Sequence, residues 1–303
     1  MNRKSDNQAF KELEILETPM NCIVVGMAGS GKTTLLQRIK AHCNEKSIKA
    51  YMINLDPAVY RVPYATDIDI RDSVNYQKVM QNFDLGPNGA ILTSLNLFAT
   101  KFDQVLRLIS KRAQSHQYAF IDTPGQVEAF TWSASGAVIS ESLSTSFPTA
   151  ILFVVDSTRT KSPVTFMSNM MYACSILYKT NLPLLVVFNK IDLYSHEMAI
   201  KWMKDIDLFE EALLEDSTYM ATLTSSMGSA LSEFYEKIKQ VGVSAKTGQG
   251  MGKLFDLIGS LEKEYKTDFA PFLLERKKEN DLRKSERVNE QILKLNKDIN
   301  KKI

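Results

Sequence analysis

The sequence Gly26-Met27-Ala28-Gly29-Ser30-Gly31-Lys32-Thr33-Thr34 decides how the rest of this 303-residue chain reads. It follows the apolar run Cys22-Ile23-Val24-Val25 and leads into Leu35-Leu36-Gln37-Arg38-Ile39, whose apolar spacing is helical. A G-x-x-x-x-G-K-[ST] loop set between a strand and a helix is a phosphate-binding arrangement. The glycines let backbone N–H groups turn inward around a polyphosphate, and the start of the helix adds unpaired donors and partial positive charge. Gly29, Ser30, Gly31, Lys32, Thr33 and Thr34 therefore read as a phosphate cradle. Lys32 reaches the β- and γ-phosphates in this reading, and the Thr33 hydroxyl ligates Mg²⁺.

Two further strands should end beside that loop, each in an acid. Ala50-Tyr51-Met52-Ile53-Asn54-Leu55 runs into Asp56-Pro57, and Tyr118-Ala119-Phe120-Ile121 runs into Asp122-Thr123-Pro124-Gly125-Gln126. Carboxylates at the carboxyl ends of strands flanking a phosphate loop sit where Mg²⁺ chemistry happens, and both are expected to act on the metal through water. Asp56 also fits a plainer role, capping the turn before proline. The Gly125 N–H is placed to bond a γ-phosphate. Gln126 and Glu128 fall within reach of an attacking water, by analogy with the water-positioning glutamine of small GTPases.

After a fourth strand that is apolar throughout, Ala150-Ile151-Leu152-Phe153-Val154-Val155-Asp156, a fifth, Leu184-Leu185-Val186-Val187-Phe188, ends in Asn189-Lys190-Ile191-Asp192. Guanine offers N1–H and a 2-amino group side by side, which one carboxylate accepts in a bidentate pair. Adenine offers no such pair and would leave Asp192 buried and unpaired, a rejection that can reach ~10⁴. Asn189 is expected to hold the loop and the O6/N7 edge, and the Lys190 stem to cover the ring face. Ser244 and Ala245, after a sixth strand at Val241-Gly242-Val243, close over the base. The nucleotide is GTP on this reading.

The expected fold is α/β: a P-loop NTPase with a mostly parallel sheet flanked by helices, helical insertions and a C-terminal helical tail. Residues 1–19 form a leader and 20–265 the nucleotide-binding domain, with insertions at about 57–116 and 196–240; 266–303 form a charged tail. One long helix carries Leu95, Phe98, Phe102, Val105, Leu106 and Ile109 on one stripe. Met167, Met170 and Met171 read as core filler. Gly86-Pro87-Asn88-Gly89, taken alone, reads as a turn. The tail from Arg276 to Ile303 carries ten Lys/Arg against five Asp/Glu, so +5 of a total of +2, leaving −3 for the remainder. Acids interrupt that basic excess and aromatics are absent from it, which argues against direct nucleic-acid binding. Three cysteines without paired spacing suit free buried thiols, and three histidines offer no transition-metal cluster. No apolar run approaches the ~20 residues of a membrane span, and Met1 to Leu16 lacks a signal-peptide core. A soluble intracellular protein is expected.

Together these stretches resemble the GPN-loop GTPases, and within them the eukaryotic branch linked to assembly and nuclear import of RNA polymerase II. The carrying residues are the phosphate loop, Asn54-Leu55-Asp56-Pro57-Ala58-Val59, Gly86-Pro87-Asn88-Gly89 and Ser94-Leu95-Asn96-Leu97-Phe98-Ala99-Thr100. Asp122-Thr123-Pro124-Gly125-Gln126-Val127-Glu128, Phe130-Thr131-Trp132-Ser133-Ala134-Ser135-Gly136, Asn189-Lys190-Ile191-Asp192 and Gly242-Val243-Ser244-Ala245 complete the set. The resemblance implies a Mg²⁺-dependent GTPase that dimerises with itself or a paralogue and takes polymerase subunits or assembly factors as clients. It also implies a cytoplasmic location with shuttling to the nucleus, and an Asn88 that enters the partner subunit's active site in trans. Two other classes use similar loops: nucleic-acid kinases, which would release a phosphorylated acceptor instead of free phosphate, and GTP-dependent metal-insertion chaperones, which would need metal ligands.

Overall fold

Strands that are apolar at nearly every position need cover on both faces, and helices of a parallel α/β fold supply it. The computed structural model of the protein describes residues 19–214, 224, 234–235 and 238–271. Its sheet contains β1 (Met20–Val25), β2 (Ala50–Asn54), β3 (Ile68–Asp69), β4 (Tyr118–Asp122), β5 (Thr149–Asp156), β6 (Leu184–Asn189) and β7 (Lys239–Gly242). All seven are parallel, in the spatial order β3-β2-β4-β1-β5-β6-β7. The helices of the first half are α1 (Lys32–Glu45), α2 (Ile70–Ser73), α3 (Tyr76–Asn82), α4 (Pro87–Ala99) and α5 (Phe102–Arg112). Those of the second are α6 (Val127–Thr131), α7 (Ala134–Ser146), α8 (Pro163–Thr180), α9 (Glu197–Lys204), α10 (Ile206–Leu214) and α11 (Met251–Glu264).

Alternate side chains of each strand enter different cores. Cys22, Val24, Met52, Phe120, Leu152 and Val187 pack with Leu35, Leu36 and Ile39 of α1 and Leu254 and Ile258 of α11. Ile23, Ile53, Ile121, Phe153, Val186 and Phe188 face the opposite layer, where Leu95, Phe98, Ile139, Phe166 and Met170 meet them. Each fully buried side chain of this size contributes about 1.5–3 kcal/mol, so the strand pattern alone over-determines the sheet. β1 lies between β4 and β5, and the chain leaves β1 for one side of the sheet and later β5 for the other. The crevice at that reversal, beyond the carboxyl ends of the strands, is where such sheets bind ligands, and the phosphate loop lies there.

The boundaries differ from expectation in places. β3 is a seventh strand; it lies inside the segment 60–72, which reads as irregular, and pairs Ile68 and Asp69 with Ile53 and Asn54. The expected long helix is two, α4 and α5, separated at Thr100 and Lys101, where the Thr100 hydroxyl donates to the Leu97 carbonyl at 2.7 Å. Gly86-Pro87 is not a free turn: Gly86 is the N-cap and Pro87 the first residue of α4, a position where proline lacks only an N–H that would be unpaired anyway. The sixth expected strand is shifted, β7 ending at Gly242. Met167 and Met170 are core, as expected, whereas Met171 is 39 % exposed. Cys22 and Cys43 are buried free thiols, and burial pushes the Cys43 thiol up to about 11; Cys174 is only half-buried. The leader and nearly all of the tail lie outside the described residues, as does much of the 196–240 insertion.

Candidate nucleotide site

The phosphate loop is built on backbone that only glycine adopts comfortably. Gly29 and Gly31 have φ of +81° and +88°, and a Cβ on Gly31 would stand 2.6 Å from the Asn189 amide nitrogen. Gly31 is also the N-cap of α1, and no side chain caps that helix. Its first N–H groups are therefore left for a ligand. Lys32 is buried and its Nζ donates to the Gly26 and Met27 carbonyls at 2.6 and 3.3 Å. Burial pulls its pKa down, opposed by the charges of Asp122 and Asp56. Ser30 Oγ is buried without a hydrogen-bond partner.

The structure brings Thr33, Asp122 and Asp56 to one edge of this loop. Thr33 Oγ1 donates to Asp122 Oδ2 at 3.0 Å, and Tyr64 Oη donates to the same oxygen at 3.0 Å. Asp122 Oδ1 is buried and has no partner. Burial pushes the Asp122 carboxyl up to about 6, against the two hydroxyl donors and Lys32 and with help from the negative charge of Asp56. Asp56 is also raised by burial, against hydrogen bonds from the Ala58 and Gly125 N–H groups and the charge of Lys32. The Gly125 amide, expected on a γ-phosphate, thus faces Asp56. A hydroxyl and carboxylates are hard oxygen donors that suit Mg²⁺. Among the described residues no group of three or more His, Cys, Asp or Glu could hold a metal by itself, so these residues fit a cation that also draws on phosphate and water oxygens. The orphaned Asp122 Oδ1 is consistent with such a group.

The base-recognition residues converge on the other side. Asn189 Nδ2 donates to the Ser30 carbonyl at 2.9 Å, while its Oδ1 accepts from Lys190 N at 2.8 Å and Ala245 N at 3.1 Å. Lys190 has φ of +66°; its Nζ reaches Gly29 O at 2.8 Å and Asp156 Oδ2 at 2.7 Å. Ser244 Oγ donates to Asp192 Oδ1 at 2.7 Å. Asp192 itself is exposed, not buried. Gln126 and Asn88, expected to serve different subunits, meet within one chain: Gln126 Nε2 donates to Asn88 Oδ1 at 2.5 Å. Glu128 is exposed and accepts from Tyr172 Oη at 3.2 Å.

Several contributors escaped sequence reasoning. Asp156 accepts from Thr158 as well as Lys190, and although burial raises its pKa, these partners outweigh it and hold the carboxyl below its usual value. The signal was available, since Asp156 ends a strand as Asp56 and Asp122 do. Tyr64 gave no signal. Neither did the clamp behind Asp56, in which Asp69 joins Asn54 at 3.1 Å and Arg71 at 2.7 Å, and Arg71 bonds the Val59 and Tyr60 carbonyls. Phe130-Thr131-Trp132-Ser133-Ala134-Ser135-Gly136 acquires a physical reason here. Ser133 caps α7 through the Gly136 N–H at 2.9 Å, and a Cβ on Gly136 would stand 1.8 Å from the Phe130 carbonyl oxygen.

Known proteins match this arrangement. A family profile described as "Conserved hypothetical ATP binding protein" covers residues 24–264. GPN-loop GTPase 1 of Dictyostelium discoideum is 53 % identical over 281 residues, 93 % of this chain and 71 % of that protein. GPN-loop GTPase 1 of Saccharomyces cerevisiae is 50 % identical over 281 residues, 88 % of this chain and 73 % of that protein. The crystal structure of a GTPase in apo form from Pyrococcus abyssi superposes with a TM-score of 0.70 at 31 % identity, covering 80 % of this chain and 96 % of that one. The profile's description says ATP; the relatives' names and the Asn189–Asp192 segment beside Ser244 both point to GTP. With its phosphate loop, its paired acids and its guanine-type loop in one crevice, the chain belongs to the GPN-loop GTPase family of GTP-hydrolysing enzymes.

Proposed function

We propose that the chain is a Mg²⁺-dependent GTPase that works as a dimeric switch, with itself or a paralogue, in the assembly and nuclear import of RNA polymerase II. The observation that carries the metal dependence is the shared oxygen of Asp122, which receives the Thr33 hydroxyl at 3.0 Å. In this reading Thr33 holds the cation directly, and Asp56 and Asp122 hold its waters. Mg²⁺, when bound, neutralises charge on the β- and γ-phosphates. The chain's own residues do the rest. Lys32 exchanges its two carbonyl partners for phosphate oxygens, and the Gly29 to Thr34 backbone and the Gly125 N–H receive the remaining ones. Asn189, Lys190, Asp192, Ser244 and Ala245 hold guanine, and Gln126 and Glu128 orient the attacking water.

The client role rests on the resemblance to the eukaryotic branch of the family, and so do dimerisation and a cytoplasmic location with nuclear shuttling. Purified protein should release free inorganic phosphate from GTP with no phosphorylated acceptor, and should lose this activity on chelation of Mg²⁺. A hydrolysis-deficient Glu128→Ala chain held on GTP, compared with wild type on GDP, should capture polymerase subunits or their assembly factors from cell extract in one state only. Equal capture in both states, or capture of neither, would refute the switch.

A further inference from the structure

Arg38 lies six residues after Lys32 in α1 and bonds a loop near the other end of the chain. Leu35, Leu36 and Ile39 around it are buried, so the helix that starts at the phosphate loop holds this guanidinium in a fixed place. Its Nε donates to the Ala245 carbonyl at 3.0 Å and its Nη2 to the Lys246 carbonyl at 2.6 Å. A planar fork that meets two successive carbonyls fixes the orientation of both peptide groups. Gly248 leaves room for it: its φ is +87°, and a Cβ there would stand 3.6 Å from Arg38 Cδ and Nη1. The carbonyl and N–H of a trans peptide point opposite ways. The peptide held by Arg38 Nη2 therefore turns its N–H, that of Thr247, away from α1. That N–H donates to Ser244 Oγ at 3.1 Å. With this acceptor position occupied, the single hydrogen of the hydroxyl goes to Asp192 Oδ1, at 2.7 Å. Ser244 is fully buried, whereas Asp192 is exposed, so without the tether the carboxylate is free to turn in water. Three hydrogen bonds thus run from the phosphate-loop helix to the carboxylate that faces guanine.

We infer that Arg38 is a positioning residue for guanine selection, holding the 244–247 loop so that Ser244 aims the Asp192 carboxylate at the base. It acts through two peptide groups and not by contact with the base. The inference rests on the reading of Asp192 as the acceptor of the guanine N1–H and 2-amino group. Inosine differs from guanosine only in lacking that 2-amino group. A misaimed Asp192 therefore loses guanosine diphosphate (GDP) more than inosine diphosphate (IDP), whereas a fold that is merely loosened loses both alike.

The test is titration of the nucleotide-free protein with GDP and with IDP, alongside thermal melts. The chains compared are wild type, Arg38→Ala, Arg38→Lys, Ser244→Ala, the double variant Arg38→Ala/Ser244→Ala, and Asp192→Asn. Wild type should prefer GDP over IDP by about tenfold or more, as for one hydrogen bond to a charged group. Arg38→Ala should lower that preference about fivefold, the equivalent of one ordinary hydrogen bond. Arg38→Lys, which meets one carbonyl at a time, should fall between the two, and it carries the test by itself if the alanine variant does not fold. The double variant should match Ser244→Ala within about twofold, because both changes break the same relay. If Asp192→Asn keeps the wild-type preference, the reading of Asp192 is wrong. If Asp192→Asn loses it while the folded Arg38 variants keep it, or they weaken GDP and IDP equally, or the Arg38 and Ser244 losses multiply, the role of Arg38 is wrong on its own.

Discussion

Replacing Asn189 by alanine removes a side chain that is 1 % exposed and ties three segments together. Four hydrogen bonds go: to the Ser30 carbonyl at 2.9 Å and the Gly31 carbonyl at 3.5 Å, and from Lys190 N at 2.8 Å and Ala245 N at 3.1 Å. Ser30 and Ala245 are themselves buried, so their freed groups cannot turn to water. Each such orphan costs about 1–3 kcal/mol. The Lys190 N–H lies on a half-exposed residue and can be rehydrated, so it adds little. The sum is about 2–6 kcal/mol in the nucleotide-free protein, which for a domain of this size lowers Tm by about 4–20 °C. The same change frees the phosphate loop from the guanine-binding loop, and GDP affinity should drop by more than tenfold, or about 1.4 kcal/mol. Urea unfolding and thermal melts of the nucleotide-free protein, alongside titration with a fluorescent GDP analogue, read both quantities. A melting temperature within about 2 °C of wild type, which corresponds to at most about 1 kcal/mol, would show that the Asn189 bonds do not hold the two loops together.

Gly136→Ala should be one of the most damaging single-methyl additions in the chain, because the new Cβ would overlap the Phe130 carbonyl oxygen; a loss of about 3 kcal/mol or more is expected, and a melt indistinguishable from wild type would contradict the close packing of α6 on α7. Asp192→Asn should weaken GTP binding by roughly two to three orders of magnitude through loss of a charge-assisted bidentate bond, while xanthosine triphosphate, whose 2-oxo group an amide can donate to, gains; unchanged GTP binding would remove the guanine assignment. Tyr64→Phe deletes a donor that competes with metal-bound water for Asp122 Oδ2, so the Mg²⁺ concentration needed for half-maximal binding of fluorescent GDP should fall about fivefold, the equivalent of one hydrogen bond. A Mg²⁺ requirement equal to wild type would show that Tyr64 and the cation do not share that oxygen.

What could be read in the sequence was whatever has a local cause. The phosphate loop declares itself because its glycines, lysine and threonine are adjacent in the chain and adjacent in the site. β5 and β6 declare themselves because a strand buried on both faces has no polar position to confuse the pattern. β3 has two residues and no pattern, and it exists because Asp67 and Asp69 tie it back to Met52 and Asn54. The division between α4 and α5 falls in a continuous apolar stripe; Leu95, Phe98, Phe102 and Val105 keep helical spacing across it, so periodicity carries no trace of the interruption. Tyr64 and Asp156 belong to the site through partners 58 and 34 positions away, and spacing along one chain cannot report such a meeting. Acids at strand ends remain the exception: the rule that found Asp56 and Asp122 also fits Asp156.

The tie between Asn189 and the phosphate loop joins residues 159 positions apart, and Arg38 of α1 bonds the Ala245 and Lys246 carbonyls across 207 and 208 positions. The nucleotide pocket is therefore finished by the last strand of the sheet. During synthesis the phosphate loop emerges early, with its N–H groups turned inward and nothing yet to hold the base. A chain halted before β7 already carries Asp192 but lacks Ser244 and Ala245, whose bonds hold Asp192 and Asn189 in place. Closing such a distant contact is slow compared with forming the helices around it. The base side of the pocket is therefore complete only when the whole sheet has been made.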